Sequence, residues 1–110
     1  MALPHARSTQ VVHLHPLGQR VADTPSFAII KARQLEVIRV VLAAGQDMHQ
    51  LGAPGEATLY CLEGEAQFRA EGSAETLRAG DFLHLRAATP YSLHALRDAS
   101  LLVTFCLLAA

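Results

Sequence analysis

From residue 27 onward, apolar positions come in short runs divided by glycine, proline, aspartate and serine. FAIIKA (27–32) is followed by LEVIRVVLAA (35–44), whose valine, isoleucine and leucine content predicts strand over helix. In EAQFRAE (65–71), Ala66, Phe68 and Ala70 alternate with Gln67, Arg69 and Glu71. That period of two turns the first set inward and the second toward water. ATLYCLE (57–63), AETLR (74–78), FLHLR (82–86), YSLHALR (91–97) and SLLVTFCLL (100–108) complete the series. Gly64, Gly72-Ser73, Ala79-Gly80-Asp81 and Asp98-Ala99 supply the connections. No long helical period separates these runs, so they predict an all-β antiparallel sandwich or barrel over residues 27–110. Residues 1–26 are expected to form an N-terminal arm, with VVHLH (11–15), ended by Pro16, as a further candidate strand.

At 110 residues the chain is sized for one domain. With 51% hydrophobic and 17% charged residues, a packed core is expected, with apolar surface left over that favours a homo-oligomer. The net charge is −1 and the arginines are scattered singly, so the concentrated basic footprint that nucleic acid requires is missing. The opening MALPHARSTQ has no apolar segment of the kind a secretory signal needs. The apolar run Leu101–Ala110 falls short of the about 20 residues that cross a bilayer as a helix, so no membrane partner is expected. Cys61 and Cys106 both lie in apolar runs, which predicts two buried free thiols and a cytoplasmic protein.

Two stretches carry a more specific signal: GQDMHQLGAPGEATLYCLEG (45–64) and AGDFLHLRAATPY (79–91). Gly45 and Gly64 bound the first, Gly80-Asp81 opens the second, and Pro90 nearly closes it. In these features the chain resembles a small single-domain cupin of the RmlC-like type, over about residues 27–108. The resemblance implies a double-stranded β-helix, the cupin jelly-roll barrel. It also implies a metal site built from a His-x-His pair and a glutamate in the first stretch and a histidine in the second.

The glycines fit this pattern and the ligands do not. Counting back from Gly64, Ala57 stands where the resemblance puts the glutamate; Glu56 is its neighbour, but one step along a strand faces the opposite way. The histidine pair falls on Leu51 and Ala53, or on Gln50 and Gly52. Arg86 and Ala88 replace a proline and a glycine, Tyr91 stands in place of the last histidine, and Ala95 in place of an asparagine.

His49 is therefore the one candidate metal ligand, with Tyr91 as a weak oxygen donor. Catalytic zinc and iron sites typically take three protein ligands, and a phenol must first lose a proton held near pKa 10. The expectation is a barrel without a tightly bound metal that holds a small, partly apolar ligand. His49, Gln50 and Tyr91 frame the mouth. The inward row from Ala57 continues through Leu59 and Cys61, which with Phe68 and Leu93 form an apolar pocket floor.

The alternative is a metal-dependent enzyme of dioxygenase or isomerase type. It would hold iron, nickel, zinc or manganese on a non-standard set around His49, with Glu56 or His84 turned inward. A metal-free version would use His49 as base and Tyr91 as acid, as some sugar-modifying cupins use such a pair. The other histidines have plainer readings: His13 and His15 share one surface or interface face, His84 packs among neighbours, and His94 and His5 face water.

Overall fold

The structure, a computed structural model, describes residues 5–109. Seven strands make one antiparallel sheet that folds on itself: β1 (Phe27–Lys31), β2 (Leu35–Leu42), β3 (Asp47–Gln50), β4 (Ala57–Ala70), β5 (Ser73–Arg78), β6 (Phe82–Leu85) and β7 (Tyr91–Cys106). The long strands β4 and β7 pair with each other along most of their length. Each then takes two partners on its other edge: β2 and β3 on β7, β5 and β6 on β4.

Two expected connections are bends inside these long strands. Residues 57–63 and 65–71 belong to one strand that turns its corner at Gly64, and the Asp98-Ala99 connection is a bend in β7 rather than a break. Register slips between Cys61 and Ala66 mark the corner, as β-bulges do where a sheet must curve. Gly64 has φ +78°, and a Cβ there would lie 2.0 Å from the Asp98 carbonyl oxygen. Only glycine fits so close an approach.

The slip has a second effect. Strict alternation from Ala57, Leu59 and Cys61 would turn Glu63 inward. The slip instead pairs Glu63 with Ser100 and sends its side chain to the outer face. There Arg39 of β2, only 3% exposed, donates from Nη2 to Glu63 Oε2 at 3.0 Å, to Ser100 Oγ at 3.0 Å and to the His15 carbonyl at 2.7 Å. The backbone N–H groups of Leu17 and Gly18 also donate to the Glu63 carboxylate, at 2.9–3.0 Å. Burial alone would raise the Glu63 pKa, but the hydrogen bonds from Leu17, Ser100, Gly18 and Arg39 outweigh it and the net shift is downward. This ionic cluster clamps the arm to the sheet just before a short 3-10 helix, Gly18–Asp23, which buries Val21.

The rest of the arm is less regular than expected. VVHLH forms no ladder, and Val11 is 76% exposed. Such a strand needs a free sheet edge, and the arm lies instead across the outer face. His13 and His15 do share a face, their rings stacked 5.4 Å apart. The thiols divide as well: Cys61 is buried, whereas Cys106 is exposed because it falls on the outward parity of β7, out of step with inward Leu101 and Val103. Among the described residues, no helix is long and apolar enough to cross a membrane.

Candidate functional site

The inner face of the sheet is assembled from cross-strand rows. At the open end one row runs Lys31, Glu36, Phe105, Ala57, Leu85 across β1, β2, β7, β4 and β6. One step deeper lie Ala28, Ile38, Val103 and Leu59, and below them the core closes on Cys61 and Leu101. Between the open end and that core is a cavity of about 370 Å³, within the usual range for small-molecule sites.

Two loops rim it, residues 51–56 and 86–90, which lead into Ala57 and Tyr91, two of the positions at which the resemblance places metal ligands. They are held together by a hydrogen bond from the Ala88 N–H to the Ala53 carbonyl at 2.9 Å. Gly52, at φ +102°, allows the contact, since a Cβ there would come within 2.9 Å of the Ala88 backbone.

Of the residues expected at the site, Tyr91 and Gln50 line this cavity, and so does Ala57. Tyr91 and Gln50 are register partners on β7 and β3, which places both on the inner face. The Tyr91 ring rests on Phe68, with ring centroids 5.8 Å apart. Burial pushes its phenol pKa up to about 12, so at neutral pH it is a hydrogen-bonding hydroxyl and not a phenolate. Among the described residues, no polar side-chain atom is both buried and unpartnered, and the Tyr91 hydroxyl has no hydrogen-bond partner. It therefore opens onto the cavity.

His49 is elsewhere. It was expected in a loop at the mouth, but it lies in β3 opposite Ser92, exposed on the outer face. The register that turns Met48 and Gln50 inward necessarily turns His49 out. Glu56 and His84 also stay outside, joined to each other at 2.6 Å with both side chains more than half exposed. His94 is hydrogen-bonded to Asp47 at 2.6 Å, again on the outer face. Leu59 and Cys61 face inward as expected but belong to the sealed core beneath the cavity, each 0% exposed, because Val103 and Leu101 fill the space above and beside them. Burial raises the Cys61 thiol pKa, which leaves it a poor nucleophile.

The metal that the resemblance implies does not fit these residues. Its positions carry Ala57, a neutral phenol at Tyr91, and Gln50 with Gly52 or Leu51 with Ala53. Among the described residues, no group of three or more His, Cys, Asp or Glu side chains is placed to hold an ion. Sequence reasoning had also missed Glu36, Lys31 and Arg86 at the mouth. The signal for Glu36 was present: in LEVIRVVL, Glu36 shares a face with Ile38 and Val40.

Comparison with solved structures now gives this barrel its class. A conserved protein of unknown function from Streptococcus pyogenes superposes with a TM-score of 0.76 at 20% identity, covering 100% of both chains. A cupin superfamily protein from Desulfitobacterium hafniense gives 0.73 at 16% identity, over 92% of this chain and 98% of that one. A cupin 2 conserved barrel domain protein from Leptotrichia buccalis gives 0.70 at 23% identity, over 74% of this chain and 39% of that one. The fold is a cupin barrel. Further structural neighbours include Fe(II)-HppE and a salicylate 1,2-dioxygenase from Pseudoaminobacter salicylatoxidans, at 17% and 22% identity. No family model and no curated protein matches the sequence. At these identities what the chain shares with other cupin barrels is architecture.

Proposed function

We propose that this protein binds a small, partly apolar molecule in the barrel cavity, without a tightly held metal. One observation carries the reading: Ala57 and Tyr91, at two positions where the cupin pattern expects metal ligands, both line the cavity, one with a methyl and the other with a neutral hydroxyl. Apolar walls from Ile38, Val40, Met48, Leu85 and Val103 supply contact area, and Tyr91 and Gln50 supply directional hydrogen bonds. Enzymatic metal chemistry around His49 would require that side chain to cross the sheet, so the binding reading is preferred.

The test is calorimetric titration of small aromatic and aliphatic alcohols and amides into the wild type and Tyr91→Phe. Removing the hydroxyl should weaken the best probe by about threefold to tenfold, the value of one hydrogen bond. An unchanged affinity would remove Tyr91 from the site.

The homodimer that the resemblance to small cupins implies, and with which the apolar composition agrees, belongs to the same proposal. It is supported by Phe82 and Tyr60, cross-strand partners that are 62% and 39% exposed on the outer face. Light scattering on the wild type and Phe82→Asp tests it: the wild type should run at twice the mass of the variant.

A further inference from the structure

The lining groups at the cavity mouth carry one carboxylate, Glu36, and two cations, Lys31 and Arg86. Arg86 is engaged by Glu71 at 2.7 Å. Lys31 and Glu36 are direct register partners on β1 and β2, yet no ion pair joins them, and among the described residues neither takes part in any other. An ammonium and a carboxylate therefore stand side by side at the entrance, both uncommitted, above a wall of Ile38 and Val40.

A ligand that covers this entrance strips water from both charges, and each then needs a partner. A molecule with a single charge satisfies one and opposes the other. A molecule with none gains nothing from either. A molecule with an amine and a carboxylate on neighbouring atoms answers both, and an apolar tail on the same centre reaches the aliphatic wall.

We propose that the cavity takes an apolar α-amino acid, its ammonium on Glu36 and its carboxylate on Lys31. The inference rests on the reading of the cavity as a ligand site and names the class of ligand. Tyr91 and Gln50 remain for neutral polar atoms of the bound molecule.

The experiment titrates the whole protein with L-leucine, N-acetyl-L-leucine, L-leucinamide and 4-methylpentanol. Leucine should bind at least about tenfold more tightly than either blocked form, as charge-assisted hydrogen bonds do against neutral ones. Glu36→Gln should erase the advantage over the acetylated form, and Lys31→Met the advantage over the amide. Lys31 is exposed and Glu36 half-buried, so both variants should fold, and their melting curves will verify this. If the alcohol binds and leucine binds no better than its blocked forms, the amino-acid assignment is wrong while the cavity reading stands. If no probe binds, both fall.

Discussion

On the outer face of β2, β4 and β7, an arginine, a carboxylate and a hydroxyl are packed together under the arm. On the inner face of two of these strands, β4 and β7, positions that would grip a cation in the cupin pattern hold an alanine and an un-ionised phenol. The outer carboxylate has donors from Arg39, Ser100 and the N–H groups of Leu17 and Gly18, so its negative form is favoured despite partial burial. The inner Tyr91 has no such donors, and burial pushes the pKa of its phenol, already protonated at neutral pH, further up. The direction in which each pKa moves in this small barrel follows from whether donors are aimed at the group to offset its burial.

The contrast can be broken most forcefully at Arg39. Arg39→Met leaves Glu63 without its cation and frees the arm, and should cost about 3 kcal/mol, the scale for splitting a buried pair. Urea unfolding measures it; a loss below about 1 kcal/mol would reduce the cluster to a surface ion pair.

The converse change puts a charge inside. Ala57→Glu should destabilise by about 1–3 kcal/mol at neutral pH, because this buried position strips water from the carboxylate. Its pKa in the fold should rise, so this variant should recover stability as the pH falls.

Glu63 should behave in the opposite sense. Its folded pKa is lowered below its ordinary value, so the stability it contributes is fully present above that ordinary value of 4.5 and is lost as pH falls through the depressed one. Melting temperature followed from pH 7 into the acid range, about pH 3, should drop more steeply for the wild type than for Glu63→Gln. Parallel curves would mean that Glu63 is not held in its charged form.

The smallest effect expected is chemical and leaves stability alone. A thiol reagent should label Cys106 in the native protein and reach Cys61 only on unfolding, matching their exposed and buried positions.

Much of the barrel was legible in the sequence because alternation and turn glycines are local signals. Ala66 and Phe68 do face inward, the turn at Ala79-Gly80-Asp81 is where it was expected, and Ala57 does occupy the inward face. His49 was misplaced because β3 is only four residues long and three of them, Asp47, His49 and Gln50, are polar, so the pattern does not fix its register. The Arg39–Glu63–Ser100 cluster was invisible for a different reason: its members are far apart in sequence, and a bulge reverses the face that simple alternation assigns to Glu63. A clue remained in LEVIRVVL, where Arg39 stands between Val37 and Val41 on a second apolar face. A strand apolar on both sides is covered on both sides, and an arginine there must have a partner.

Whether the cavity holds a metal is measured most directly by elemental analysis of protein purified without added metal. Well below one equivalent of iron, nickel, zinc or manganese per chain is the predicted result, unchanged in Tyr91→Phe. One equivalent that survives dialysis and is lost in Tyr91→Phe or Gln50→Ala would contradict it, because the inner face would then be gripping an ion.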